Sequence, residues 1–363
     1  MKKNILFLIE RRLSQLPPAM AIIDSVVASG LYNVTIVEAE EDAETEENYR
    51  KRGVRIESFY LRKYYKNPLL KILNKLKKSF LFYTNANRVL RKYDYDILWI
   101  LHERTAAHLG HLLKGKKYIL SSYELNDEFP KLRKKLSPII KNAFINVACE
   151  YNRAHIMKVW YELDKVPYIL PNKPYSHPRK KNIECPFIQS KPDDKIILYQ
   201  GHISGERNLE TICKTISSMN GYRLVLMGDG DGKKLTAKYP NIEYVGYVKA
   251  PAHLMVTSHA YIGIVTYKDK YLNTMYCAPN KIWEYSGFAV PMIANDIPGL
   301  KYTVGAYKAG LCIDTNDSKA IQDAINLIDS NYQNFSNNAK SLYDSVDISV
   351  MVLNILIDYN ARV

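Results

Sequence analysis

Short apolar runs alternate with stretches of helical periodicity along the whole chain. The runs fall at residues 5–9, 34–37, 97–101, 118–121 and 143–148 in the first half, and at 196–199, 224–227, 261–265, 289–293 and 310–313 in the second. Runs this short, set off by polar or glycine-bearing segments, predict buried strands of parallel sheets with helices packed over them. Leu209, Ile212 and Ile216 mark one covering helix, and residues 350–357 another. A third pattern differs. Leu69, Ile72, Leu73, Leu76, Phe80 and Tyr83 form one helical stripe, with Lys71, Lys75, Lys77 and Lys78 off it. Two readings fit: a domain helix whose stripe enters the core, or a peripheral helix on anionic lipid headgroups. No repeat, low-complexity tract or heptad run is present.

Ligands of parallel sheets bind beyond the carboxyl ends of the strands, so the residues that follow each run are candidates. They are polar: Glu10, Arg11 and Arg12; His102, Glu103 and Arg104; Ser122, Tyr123, Glu124 and Asn126. Residues 271–300 read as a loop, a short helix, a buried strand and a turn. Pro279 suits a first-turn position, and Gly287 is expected to close the helix in the left-handed conformation. The helix start offers free N–H groups and the positive dipole end to a phosphate, with Lys281 beside it. Glu284 lies further along, where a carboxylate accepts hydrogen bonds from a vicinal diol such as ribose. Phosphate and ribose together mean a nucleotide. A capped surface helix with a solvated glutamate satisfies the same spacing.

At 363 residues and 47% hydrophobic content, the chain suits two domains. Its net charge of +14 is uneven: residues 1–172 hold 30 basic and 19 acidic residues, the remainder 21 and 18. Lys51 to Lys92 holds 13 basic residues and a single acid, Glu57, just after an acidic cluster at 38–47. The five cysteines are scattered without a C-x-x-C pair, which points to a reducing compartment. The apolar run at 5–9 is too short for a signal-peptide core or a membrane span, so the expected location is the cytoplasm, with peripheral placement on the inner membrane face as the alternative. A nucleic-acid-binding reading rests on the basic segment and 29 tyrosines. With no zinc pattern, helix-turn-helix or second basic region, nucleic acid is not an expected partner.

The segment Pro279-Asn280-Lys281-Ile282-Trp283-Glu284-Tyr285, followed by Gly287 and by Ala289 to Ile293, resembles the "PNKlfEY…G.PvI" signature of group 1 (family 4) glycosyltransferases. Many members carry an E-x7-E pair here, the second Glu on the ribose and the first on the donor sugar. Glu284 matches the second, whereas Tyr276 stands where the first would be. Gly201 followed by His202 and Arg207 resembles "G-R-L-x-x-x-K-G", with His202 on the Arg position and Arg207 on the Lys position. Gly228-Asp229-Gly230 and Tyr244 to Val248 resemble the turn and segment that lie against the nucleotide, and Glu150 to Ala154 and Leu170 to Pro174 resemble the helix opening and linker between domains. Relatives place a His or acidic residue near Glu124, facing the donor sugar. The double glycine many carry in the first loop is absent.

The resemblance implies an α/β chain of the GT-B fold, two Rossmann-like domains with parallel sheets facing an interdomain cleft: residues 1–172 on the acceptor side, 173–345 for the nucleotide sugar, and 346–363 returning to the first domain. It implies a retaining glycosyltransferase that moves a sugar from a nucleotide diphosphate sugar to a hydroxyl of a glycan or lipid-linked saccharide, in cell-surface polysaccharide biosynthesis. Arg207, Lys281 and Glu124 would be catalytic. Gly201, His202, Gly228, Gly230, Tyr247, Val248, Asn280 and Glu284 would hold the nucleotide, Asn273, Thr274 and Tyr276 the donor sugar, and Arg11, Arg12 and His102 would face the acceptor. No cofactor is expected. With no D-x-D pair in the 273–284 loop, no metal is expected either. A sugar-nucleotide epimerase of the same fold and a non-catalytic nucleotide-binding subunit remain open beside this reading, because Tyr276 replaces a carboxylate.

Overall fold

The computed structural model describes residues 2–60, 67–189, 194–207, 209–239 and 241–363. The chain divides into two compact units, residues 1–175 with 348–363 and residues 176–347. The first unit is built on a seven-stranded parallel sheet: β1 (Lys3–Ile9), β2 (Tyr32–Glu38), β3 (Arg55–Ser58), β4 (Ile97–Leu101), β5 (Ile119–Ser122), β6 (Ile145–Ala148) and β7 (Tyr168–Ile169). Their spatial order is β3-β2-β1-β4-β5-β6-β7. The order reverses between β1 and β4, which makes that junction the switch point of the sheet. Helices α1 (Pro17–Ser29), α2 (Ala43–Lys51), α3 (Pro68–Lys92), α4 (Glu103–Leu109), α5 (Pro130–Lys141) and α6 (Tyr151–Trp160) connect the strands. β1 and β4 are apolar nearly throughout because both faces are covered. Ile5, Phe7 and Ile9 enter the core cluster that also takes up α1.

The second unit holds a six-stranded parallel sheet, ordered β10-β9-β8-β11-β12-β13. Its strands are β8 (Lys195–Gln200), β9 (Tyr222–Met227), β10 (Ile242–Gly246), β11 (Ala260–Val265), β12 (Met292–Asn295) and β13 (Gly310–Ile313). Along β8, Ile196 and Leu198 face one core layer while Ile197 and Tyr199 face the other. This period of two lets one apolar run serve both sides of a buried strand. The helices are α7 (Leu209–Ser217), α8 (Gly232–Lys238), α9 (His253–Thr257), α10 (Leu272–Met275), α11 (Asn280–Gly287), α12 (Pro298–Leu300), α13 (Ser318–Ser330) and α14 (Tyr332–Asp344). The switch point lies between β8 and β11. The last helix, α15 (Ile348–Arg362), belongs to the first unit, where Ile348, Val352, Ile355, Leu356 and Tyr359 are buried in the cluster that includes α1.

Three elements depart from expectation. β3 is a strand the pattern did not announce, since Arg55-Ile56-Glu57-Ser58 has one apolar residue and relies on pairing with β2. Gly287 is helical, and the left-handed residue after α11 is Ala289, at φ 56°. Gly287 is small for another reason: a Cβ there would stand 2.5 Å from the His177 ring. The stripe of α3 does not enter the core either. Leu69, Ile72, Leu73, Leu76 and Phe80 are between 56% and 70% exposed, and burial begins only at Phe82.

Candidate active site

The second unit brings its charged residues to the switch point through three close packings. Gly201, directly after β8, has φ +128°, and a Cβ there would stand 3.1 Å from Nζ of Lys281. Only glycine combines that backbone with so near an ammonium. Gly228 and Gly230, at φ +142° and +116°, lie against the same loop, so that added Cβ atoms would meet the carbonyl oxygens of Gly201 at 1.9 Å and Ile203 at 2.0 Å. Hydrogen bonds lock the two turns: Gly201 N donates to Met227 O at 2.9 Å, Ile203 N to Asp229 O at 2.7 Å, and Asp231 N to Ile203 O at 2.9 Å. The glycine turn is therefore required by the packing of the two loops, whatever it touches besides.

α11 is held in place from several sides. Tyr285 is fully buried and its hydroxyl donates to Leu198 O in β8 at 2.8 Å. The ring of His177 packs edge-on against Phe288 at 4.2 Å, and its Nε2 lies 3.1 Å from Glu284 O. Burial pushes the His177 ring down to about 4, so it is neutral. Pro279 sits one residue before the first turn, at the N-cap, rather than within it. Asn280 and Lys281 therefore start the helix, where backbone N–H groups lack intrahelical partners.

Lys281 extends from that turn into an aromatic box. Its Nζ lies 4.3 Å from the centre of the Tyr199 ring and 5.7 Å from that of Tyr267. The Arg207 guanidinium lies 4.2 Å from the centre of the same Tyr267 ring. Two cations thus lie against one aromatic ring. Burial pushes the Lys281 ammonium down to about 7; the charge of Arg207 adds to the fall and Glu284 opposes it. Neither Lys281 nor Arg207 has a carboxylate within ion-pair distance among the described residues. Two like charges held close, one of them buried, are costly unless an anion joins them.

Glu284 has partners of its own. Nε2 of His253 faces its Oε1 at 3.2 Å, and Nε2 of Gln200 donates to its Oε2. Thr257 Oγ1 in turn donates to Gln200 Oε1 at 2.7 Å. His253 and Thr257 are four residues apart on α9, on one face. Burial alone would raise the Glu284 carboxyl, but His253, Lys281 and Gln200 outweigh it and hold the group below the usual carboxylate range. A carboxylate has about four acceptor directions, so two protein donors leave room for a diol.

The remaining nucleotide and sugar candidates separate. Tyr247 is exposed, whereas the Val248 side chain is buried in the core, so only its backbone can line a base pocket. His202 is exposed and its carbonyl accepts the Tyr199 hydroxyl at 2.7 Å. Thr274 is engaged locally: its hydroxyl donates to Tyr271 O at 2.9 Å and accepts from Tyr271 N at 3.2 Å, capping α10. Asn273 and Tyr276 are half-buried beside it. Asp229-Gly230-Asp231 does have D-x-D spacing, but Asp231 pairs with Lys234 at 2.7 Å. Among the described residues no three or more His, Cys, Asp or Glu side chains cluster as a metal site would need.

In the first unit the candidates at the strand ends are engaged with one another. Glu10 accepts from Ser79 at 2.8 Å and faces Nδ1 of His108 at 3.0 Å; burial raises its carboxyl, yet these contacts bring it below its ordinary value. Glu103 accepts from Tyr123 N at 3.0 Å and from Asn126 at 3.2 Å. Glu124 is half-exposed and lies 3.6 Å from Arg153, a structural pairing that the expectation of a catalytic role did not include. His102 is buried at φ 103°, and its Nδ1 accepts Arg104 N at 3.1 Å as the cap of α4. Burial lowers its pKa, so the ring is neutral. Arg11 is exposed; Nε of Arg12 is buried without a hydrogen-bond partner among the described residues.

Residues 194–331 match the family model of glycosyl transferases group 1. Over those residues the second unit is similar to group 1 glycosyltransferases. Solved structures extend the likeness to the whole chain. Sucrose-phosphate synthase from Thermosynechococcus elongatus superposes with a TM-score of 0.72 at 14% identity, covering 99% of each chain. HepE of Anabaena, solved in complex with UDP, gives 0.68 at 11% identity over 100% of each chain. WaaG, a glycosyltransferase involved in lipopolysaccharide biosynthesis, gives 0.64 at 11% identity over 97% of this chain and 98% of its own. No curated protein matches the chain in sequence. The two parallel-sheet units are those of the GT-B glycosyltransferase fold. Sequence reasoning missed His253, Gln200, Thr257, Tyr199 and Tyr267 in the second unit. None sits in a recognisable local motif, and their partners lie up to 84 residues away.

Proposed function

We propose that the protein is a retaining glycosyltransferase that moves a hexose from a nucleotide diphosphate sugar to a hydroxyl of a glycan or lipid-linked saccharide in cell-surface polysaccharide synthesis, working on the cytoplasmic side of a membrane. The observation that carries this reading is the pair of cations, Lys281 and Arg207, that lack carboxylate partners among the described residues and lie against the Tyr267 ring beside the first turn of α11. A diphosphate placed there meets two positive charges and free helix N–H groups. As the bond from the anomeric carbon to the β-phosphate oxygen breaks, its electron pair leaves with the diphosphate. Fixed cations that meet this growing charge lower the barrier. The acceptor hydroxyl oxygen bonds to the anomeric carbon on the same face, and its proton passes to the departing phosphate. Glu284, steadied by His253 and Gln200, takes the ribose diol. No metal enters this scheme.

Uridine diphosphate sugars are the first donors to test, since HepE has been solved with UDP and with UDP-glucose. A thermal-shift screen of nucleoside diphosphates should show stabilisation by one base, growing with concentration by mass action. Release of that diphosphate from its sugar should require an acceptor and survive EDTA. Sugar interconversion without an acceptor would establish the epimerase instead; binding without turnover would leave a nucleotide-binding subunit.

A further inference from the structure

We propose that the first three turns of α3 are a docking surface for an anionic lipid bilayer. The inference rests on the surface of the first unit and does not depend on the proposed sugar transfer. α3 is 25 residues long, and its buried side chains, Phe82, Ala86, Val89 and Leu90, all lie in its later part. The earlier part touches its own unit along one edge: Tyr60 donates from its hydroxyl to Asn74, Lys78 pairs with Glu40 at 2.7 Å, and Ser79 donates to Glu10 at 2.8 Å. At about 100° per residue, Leu69, Leu73, Leu76 and Phe80 point to the opposite side from Asn74 and Lys78. Five large apolar side chains more than half exposed on one short face are far more than scattered surface leucines.

Charge decides the occupant. Lys71, Lys75 and Lys77 are exposed, Lys75 and Lys77 on the two flanks of this face and Lys71 further round the helix, and no Asp or Glu occurs between Glu57 and Asp94. Much of the rest of the basic segment is already neutralised: Lys51 by Glu47 at 2.7 Å, Arg52 by Asp24 at 2.6 Å, and Arg88 by Glu57 at 3.2 Å. The docking patch is therefore narrower than residues 51–92 and excludes Lys78. A second copy of the chain would press two lysine rows together with no carboxylate on the helix to meet them. An anionic bilayer satisfies both features, since acyl chains take the stripe and headgroup phosphates take the lysines. No helix among the described residues is long and apolar enough to cross a membrane, so the contact is interfacial.

The test is co-sedimentation of the full chain with phosphatidylcholine vesicles and with the same vesicles carrying phosphatidylglycerol. The protein should pellet with the anionic vesicles and be partly released by molar salt. The variant Lys71→Gln/Lys75→Gln/Lys77→Gln should bind about a hundredfold more weakly, roughly fivefold per lysine. Leu69→Gln/Leu73→Gln/Leu76→Gln should lose the fraction that resists salt. Both variants change exposed positions and should keep the wild-type melting temperature. Wild-type protein that stays in the supernatant, or variants that pellet as it does, would overturn the proposal. So would a dimer in sedimentation velocity that the leucine variant abolishes without any vesicle binding.

Discussion

Both units carry charged residues at the carboxyl ends of their parallel strands, but the charges are settled in opposite ways. In the first unit three of the candidate carboxylates have partners: Glu10 has Ser79 and His108, Glu103 has Tyr123 and Asn126, and Glu124 has Arg153. In the second unit, Lys281 and Arg207 face aromatic rings, with no carboxylate at ion-pair distance among the described residues. A set of polar groups that satisfy one another stabilises a scaffold; a set that lacks its counter-charge waits for a ligand. Position after a strand cannot distinguish these cases, because it is the same in both units. The distinction lies in what each side chain touches.

Substitution of the two cations is the strongest way to break this contrast. Arg207→Ala should lower kcat on the order of a hundredfold, the usual cost of one lost electrostatic donor, with a smaller effect on diphosphate affinity. Lys281→Met should be at least as damaging to turnover while raising the melting temperature of the empty protein, by about 2–4 °C for each kcal/mol recovered. Wild-type rates in either variant would remove that residue from the site. A melting temperature that falls in Lys281→Met would show that the ammonium is structurally satisfied after all.

The Glu284 network gives a smaller effect. Glu284→Gln should raise KM by about 1.5–3 kcal/mol of lost charge-assisted hydrogen bonding. His253→Ala should follow in the same direction, and both losses should vanish when a 2′,3′-dideoxynucleotide is the ligand. An equal loss for ribose and dideoxyribose forms would mean that His253 only supports the fold.

The pH response sharpens the comparison further. The pKa of Lys281 is lowered to about 7, and an anion placed beside it raises the value again. Binding of a diphosphate at pH 8 should therefore take up a fraction of a proton, readable by calorimetry in buffers of different ionisation enthalpy. The sign for stability follows from the same shift. Between about 7 and the ordinary lysine value near 10.4, the unfolded chain holds more protons, so the empty protein gains stability as pH rises through that window. Lys281→Met should flatten this slope. The smallest expected change is Glu103→Gln, which leaves diphosphate affinity untouched and costs about 1–3 kcal/mol of stability in the first unit.

The strands and α11 were legible because their signals are local. An apolar run such as Ile196 to Tyr199 announces a buried strand by itself, and Pro279 to Tyr285 carries the opening of its helix within seven residues. β3 was not legible, since a single isoleucine among charged residues becomes a strand only when β2 offers it a ladder. His253 was hidden for a related reason: α9 is five residues long, and the carboxylate that gives His253 a purpose comes from another element. The stripe on α3 was read correctly as a stripe. Periodicity says which residues share a face and is silent on what covers it.

The chain leaves the first unit after residue 175 and returns to it only with α15, whose apolar side completes the packing over α1. A ribosome releases this protein in order, so the first half of the sequence waits with part of its core open while about 170 residues of the other unit are made, on the order of 10–30 s at ordinary synthesis rates. The unit whose sequence comes second is the first that can finish folding. During that interval the exposed face of α1 is a natural contact for chaperones, and loss of the last fifteen or so residues should cost the beginning of the protein its fold before it affects the middle.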